Sequence, residues 1–169
     1  MFWELEVRSA LAKKITSVQL FEPPDIIIDF DGSRLGISCK KLYSEKNVEK
    51  VLSGAVEQIE DQFDFGIVAI NLDDLIPADQ VLRVAAEGHM RQLLIGLNDE
   101  FLRRHERHFK KYLASGRLAS ALVSTTVIAE VLKWRVPFNN ARQWTGWTIP
   151  GLALLKNQVL NRFYNSVIG

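Results

Sequence analysis

The spacing of apolar residues at the start of the chain follows the period of a helix. Trp3, Val7, Ala10 and Leu11 fall on one face of the segment 2–14, and charged side chains occupy the other faces. A helix with one apolar face gains most of its stability by packing that face on another element. The pattern therefore predicts an amphipathic helix over residues 2–14.

Strands and a tight hairpin are predicted next. Residues 15–21 are apolar and β-branched enough for a short strand, which Pro23-Pro24 ends because proline cannot donate to a ladder. Residues 26–30 predict a second strand. Asp31-Gly32 is a typical hairpin turn, and it leads into a third strand over residues 35–40.

The first half closes with a predicted helix and a buried strand. Ser44 precedes a helical pattern whose apolar stripe consists of Val48, Val51, Leu52, Ala55, Val56 and Ile59. Residues 65–72 form an apolar run typical of a buried strand. The order α-β-β-β-α-β indicates an α/β fold, with a central mixed sheet flanked by helices on both sides.

The second half has a less regular pattern. Residues 78–113 predict one long helix, or two helices broken near Gly96–Asn98. The remaining predicted elements are strands over 118–129 and 144–149 and a closing helix over 152–167.

Length and composition are those of a globular protein. The chain has 169 residues, of which 47% are hydrophobic and 24% charged, and no linker divides it. We expect one domain over 1–169, with a motif core at 2–72 and an extension at 78–169. The single cysteine, Cys39, excludes an internal disulfide and a cysteine-cluster zinc site. No membrane-length apolar stretch or signal-peptide core is present, so we expect a cytoplasmic protein.

Charge is distributed unevenly, although the net charge is only +1. Residues 1–77 hold 14 Asp and Glu against 8 Lys and Arg, whereas residues 78–169 hold 6 against 13. Arg103, Arg107 and Lys110 follow each other at helical spacing, with Arg104 and Lys111 beside them. A basic face of this kind predicts contacts with DNA phosphates, although a solvated helix face has the same pattern.

The polar residues with the most specific spacing lie in and around the predicted hairpin. Ser38 and Lys40 share one face of the third strand because side chains alternate, and Cys39 points to the opposite face. Asp25, at the start of the preceding strand, comes beside that pair across the hairpin. A carboxylate, the Cys39 carbonyl and a lysine together suit metal-assisted hydrolysis of a phosphodiester.

At these residues the chain resembles the PD-(D/E)xK nuclease superfamily. Pro24-Asp25, twelve further residues and then Ser38-Cys39-Lys40 is similar to the family signature, with the spacing of small junction-resolving nucleases. Glu4 matches the glutamate that the family carries on its first helix, and Gln58 matches a glutamine on the helix after the lysine. The resemblance covers residues 2–72.

The resemblance implies a restriction-endonuclease-like fold and a DNA endonuclease that requires Mg²⁺, with Mn²⁺ as a substitute. It implies that Glu4, Asp25 and the Cys39 carbonyl bind the metal and that Lys40 orients water or stabilises charge. Gln58 is implied as a DNA-contacting residue. A homodimer is compatible with the resemblance, because many relatives cut two strands as dimers.

One position departs from the family pattern, because Ser38 stands where the motif acid is expected. A serine hydroxyl cannot supply the missing negative charge. Helical geometry turns Glu57 toward solvent and leaves Glu49 and Glu60 as the relocated acids to consider. The alternatives are a catalytically impaired relative that binds nucleic acid or protein, and an interaction domain with no nucleic-acid role.

Overall fold

In the part of the chain that the structure describes, seven strands form one mixed sheet with helices on both of its faces. The structure is a computed structural model, and it describes residues 3–59, 63–77, 80–116, 118–133, 135–136 and 138–168. The helices are α1 (Trp3–Ala12), α2 (Val48–Gln58), α3 (Glu87–Arg104), α4 (Glu106–Ala114) and α5 (Leu154–Val167). The strands are β1 (Val18–Leu20), β2 (Ile26–Phe30), β3 (Ser33–Lys41), β4 (Phe65–Asn71), β5 (Val81–Val84), β6 (Ser120–Val131) and β7 (Phe138–Trp147). The expected α/β class and mixed, helix-flanked sheet are confirmed.

The strand order explains why the sheet is mixed. Strands β1, β2 and β3 are antiparallel neighbours, β4 runs parallel to β3, and β6 runs parallel to β4. Strand β7 pairs antiparallel along nearly all of β6, whereas β4 and β5 pair with the first and last parts of β6. Because a strand has only two edges, β4 and β5 share the edge of β6 that β7 leaves open.

The predicted hairpin is confirmed in detail. Phe30 pairs with Ser33, so the loop consists of Asp31 and Gly32 alone, with φ angles of 53° and 74°. Positive φ at both positions is the requirement of a type I′ turn, whose twist matches that of the flanking strands. This turn sets the register in which Ile26 pairs with Ile37.

Alternation along β3 divides its side chains between two cores. Leu35, Ile37 and Cys39 are buried in the core that α1 and α5 cover. The opposite face of the sheet is covered by α2, α3 and α4. Ser38 and Lys40 therefore face α2, as the period-two pattern predicts.

The second half differs from its prediction in two places. Residues 81–84 form strand β5 instead of helix, and the helical region breaks at His105 instead of near Gly96–Asn98. Asn98 is fully buried inside α3, where it bonds to the hydroxyls of Thr125 and Thr145. The predicted strand at 118–129 and the closing helix are confirmed, whereas β7 begins earlier than the predicted 144–149.

Candidate functional site

Asp25 lies just before β2, where the open end of the hairpin meets the loop from β1. The Phe21 N–H donates to the Asp25 carbonyl at 3.0 Å, which closes the loop that precedes the strand. On its side chain, Asp25 Oδ2 accepts the backbone N–H of Cys39 at 2.5 Å. Since Ile26 pairs with Ile37, continuing this register places Asp25 opposite Ser38. The hairpin thus brings the aspartate to the Ser38-Cys39-Lys40 segment.

The Cys39 peptide lies beyond the last residue pair of β2 and β3. The N–H and C=O groups of one residue in an extended strand point to the same side. Because the Cys39 N–H points toward Asp25, the Cys39 carbonyl is directed to the same edge. An oxygen ligand and a carboxylate are therefore available side by side.

Ser38, Lys40 and Gln58 form a hydrogen-bonded group on the α2 side of the sheet. The Ser38 hydroxyl and the Lys40 ammonium both donate to Gln58 Oε1, each at 2.5 Å. Ser38 is fully buried, and Lys40 and Gln58 are partly buried. The amide of Gln58 thus holds the Lys40 ammonium at the end of β3.

Glu4 approaches the same region from α1. The helix is fixed by Trp3, whose indole N–H donates to the Ala69 carbonyl at 3.3 Å and whose ring stacks on Trp144. Glu4 is half-buried. Together with neighbouring side chains it lines a cavity of about 330 Å³, whose walls are Trp3, Glu4, Glu6, Lys41, Tyr43, Asn71 and Asp73.

Charge interactions connect the groups of the site. Burial raises the pKa of the Asp25 carboxyl, and the negative charges of Glu4 and Glu22 raise it further. The Cys39 N–H and the Lys40 ammonium oppose this shift of the Asp25 pKa. Burial also raises the pKa of the Cys39 thiol, which suits a packed, unreactive side chain. A cation beside Asp25 and Glu4 would relieve the repulsion between their carboxylates.

The residues present fit a weakly held divalent cation. Mg²⁺ is commonly bound through one or two carboxylates while it keeps several waters. Glu4 and Asp25 are two such carboxylates, and the Cys39 carbonyl is a further oxygen donor beside Asp25. Within the described ranges no group of three or more His, Cys, Asp or Glu side chains is arranged to hold a metal. Ser38 adds no charge, so the described residues of this region offer two carboxylates, Glu4 and Asp25.

Neither Glu49 nor Glu57 adds a carboxylate to the site. Glu49 is on the exposed side of α2, where its carboxylate pairs with Lys111 at 2.7 Å, so it does not reach the site. Glu57 is exposed, as expected, and accepts a bond from Ser53. Glu60 lies outside the described residues.

The predicted basic face is divided by the helix break at His105. Arg103 belongs to the end of α3, whereas Arg107 and Lys110 belong to α4, so the three residues are distributed over two helices. Arg103 forms an ion pair with Glu100, and Lys110 forms one with Glu106, both at 2.7 Å.

Two neighbours of this stripe also bind carboxylates. Arg104 pairs with Glu45, and Lys111 pairs with Glu49, which joins the helical region after β5 to the segment around α2. Much of the positive charge on this surface is therefore balanced by the protein itself. Arg107 is exposed and has no ion pair within the described part of the chain.

Sequence reasoning missed Tyr43 as a candidate residue of the site. Its ring is 71% exposed and lines the cavity that contains Glu4. The sequence signal was its position just after the strand that carries Lys40. The two tryptophans considered for base stacking are used in packing instead, since Trp144 stacks on Trp3 and Trp147 packs against Phe109.

Comparisons with known proteins identify no relative of this chain. No protein-family model matches the sequence, and no curated protein and no solved structure matches it either. No helix among the described residues is long and apolar enough to cross a membrane.

Proposed function

We propose that this chain is a restriction-endonuclease-like protein that hydrolyses phosphodiester bonds in DNA with the help of Mg²⁺ or Mn²⁺. The observation that carries the proposal is the bond from the Cys39 N–H to the Asp25 carboxylate, with Lys40 and Glu4 close enough for their charges to shift the Asp25 pKa. The order α-β-β-β-α-β, with β4 parallel to β3, supports the same assignment.

Each residue has a role that follows from its position. Glu4, Asp25 and the Cys39 carbonyl would hold the cation, which when bound polarises the phosphate and lowers the pKa of a coordinated water. Lys40 presents an ammonium group beside Asp25, held by Gln58, and would stabilise negative charge that develops on the phosphate. Asp25 itself is held in place by the Cys39 N–H.

A catalytically impaired nuclease-fold protein that binds DNA is the second candidate. The observation that favours it is the buried Ser38 hydroxyl, which donates to Gln58 and contributes no charge to a metal site. Mg²⁺ binds mainly through the charge of its ligands, so the loss of one carboxylate weakens binding. The two candidates differ in catalysis and share the fold and the DNA surface.

Nicking of supercoiled and branched DNA across a Mn²⁺ titration separates these candidates. We expect cleavage by the wild type at high metal concentration and none by Asp25→Asn. Asp29→Asn is the matched control, since Asp29 is an exposed aspartate on β2, four residues after Asp25. Equal cleavage by Asp25→Asn and wild type would overturn the site. DNA binding without cleavage, in both the wild type and Ser38→Glu, would establish the impaired alternative.

A further inference from the structure

Few aromatic residues are exposed in the part of the chain that the structure describes, and one of them, Tyr43, lines the cavity that contains Glu4. Among the aromatic residues that the structure describes, Phe21, Tyr43 and Phe138 are exposed, and their exposed fractions are 50%, 71% and 51%. Phe21 is bonded through its backbone N–H to Asp25, and Tyr43 lines the cavity that contains Glu4. Phe138 lies at the start of β7.

The Tyr43 ring is exposed and yet held in a defined position. The Lys41 ammonium lies 5.5 Å from the centre of the ring, within the range of a cation–π contact. Lys41 is in turn fixed by an ion pair with Asp74 at 2.8 Å. A ring held in this way loses little conformational freedom when a flat ligand stacks on it.

The cavity below Tyr43 has polar walls whose acidic groups are largely engaged. Asp73 accepts bonds from the Thr126 N–H and the Asn71 amide, and Glu6 pairs with Arg142. The volume of about 330 Å³ is at the small end of ligand-binding cavities. A polar cavity of that size with an exposed aromatic ring in its wall suits a single planar, hydrogen-bonding group.

We propose that Tyr43 is a stacking platform for an unpaired nucleobase next to the cleavage site. The substrate is then DNA with unpaired nucleotides, because a base inside a duplex is stacked on its neighbours and cannot reach this ring. Base–aromatic stacking is tolerant of sequence, since every base has a π-face. This inference rests on the proposed function, because it takes DNA as the ligand.

Binding measured without divalent metal tests this proposal independently of cleavage. Fluorescence anisotropy would compare a short single-stranded oligonucleotide with a hairpin duplex of the same sequence at fixed salt. We expect tighter binding of the single strand by the wild type, and a loss of about 5- to 150-fold for Tyr43→Ala on that ligand alone. Tyr43→Phe should retain binding, because the ring is preserved. Phe138→Ala, which removes another exposed aromatic ring, at the start of β7, should have no effect.

A second readout reports stacking itself. The fluorescence of 2-aminopurine placed in the single strand should be quenched on binding to the wild type and Tyr43→Phe, and less quenched on Tyr43→Ala. Unchanged affinity and quenching in Tyr43→Ala, an equal loss in Phe138→Ala, or a wild type that does not prefer the single strand would each overturn the proposal. Failure of the proposed cleavage site has a different signature, namely a fully active Asp25→Asn.

Discussion

The carboxylate of Asp25 accepts the backbone N–H of Cys39, and this bond ties the residue before β2 to the end of β3. It spans 14 residues of sequence and closes the open end of the hairpin. The same bond occupies one carboxylate oxygen of Asp25 and leaves the other for a further ligand. Both the stability and the chemistry of the site therefore depend on the protonation of Asp25.

We predict that Asp25→Asn unfolds at a higher denaturant concentration than the wild type at neutral pH. Burial raises the pKa of Asp25 above its ordinary value of 3.8, so the folded state binds this proton more tightly than the unfolded state does. The resulting stabilisation is complete below pH 3.8 and is lost as the pH rises through the raised folded pKa. Asparagine is uncharged, so it avoids the free-energy cost of burying a carboxylate at neutral pH. Its side-chain oxygen can still accept the Cys39 N–H.

Urea unfolding at a series of pH values measures the effect. The advantage of Asp25→Asn should shrink as the pH approaches the ordinary range of aspartate. Asp29→Asn, an exposed change on β2, should follow the wild type at every pH. A wild type that is more stable than Asp25→Asn at neutral pH would contradict this prediction.

We predict that Gln58→Glu strengthens Mn²⁺ binding by about tenfold or more. A carboxylate at this position can accept the same bonds from Ser38 and Lys40, and it adds the charge that the site lacks. A charge about 4 Å from another contributes about 1 kcal/mol even in water, and more near a protein or a divalent ion. Isothermal titration calorimetry gives the affinity, and an unchanged affinity would place Gln58 too far from the cation.

Ser38→Glu is the companion change, and we expect it to raise Mn²⁺ affinity and cleavage at a cost in stability. Ser38 has no exposed surface, so the longer side chain crowds the space under α2. Overpacking of a buried position typically costs about 1–3 kcal/mol. Urea unfolding should therefore show a lower stability for Ser38→Glu than for the wild type. Gln58→Glu preserves the side-chain shape and should not show this loss of stability. Equal stability of the two variants would be the contrary result.

We predict that Trp3→Phe weakens metal binding although Trp3 does not touch the cation. The change removes the bond to the Ala69 carbonyl and part of the stacking on Trp144, which together position α1 and therefore Glu4. Loss of one buried hydrogen bond costs about 0.5–1.5 kcal/mol of folding stability. Thermal unfolding and Mn²⁺ titration should both respond. Leu5→Ala, on the exposed side of the same helix, should change neither by a comparable amount.

We predict that Arg107→Ala weakens DNA binding more than Arg103→Ala or Lys110→Ala. Arg103 and Lys110 are already paired with Glu100 and Glu106, so releasing them for phosphates costs an existing interaction. Each lost phosphate contact should lower the slope of log affinity against log salt by about 0.9. Anisotropy at several salt concentrations measures this slope. If all three variants keep the slope of the wild type, this surface is excluded from the interface.

Local sequence was sufficient for the first half of the fold. The helical spacing of Trp3, Val7 and Leu11 and the Asp31-Gly32 turn each depend on interactions within a few residues. The turn sets the hairpin register. Period-two alternation then places Ser38 and Lys40 on one face of β3, and the register brings Asp25 beside them across the hairpin. Half of the candidate site was therefore predictable from short-range rules.

The second half was harder to predict because its signals are tertiary. The helices break at His105, which is neither glycine nor proline, and its ring nitrogen contacts Glu45 at a separation of 60 residues. Asn98 lies where the sequence predicts a helix break. It remains helical because its side-chain amide forms hydrogen bonds with the hydroxyls of Thr125 and Thr145 in the core. In both cases partners distant in sequence outweigh the local preference.

The sequence by itself determined the α/β class, the order of the first six elements and the residues that carry the candidate chemistry. Only the tertiary structure decided that Glu4 approaches Asp25, that Gln58 holds Lys40, and that the basic residues after β5 are paired with carboxylates. The physical reason is the separation along the sequence over which each interaction acts. Turns and alternation are set by neighbouring residues, whereas burial and charge pairing depend on which distant segments the packed sheet brings together.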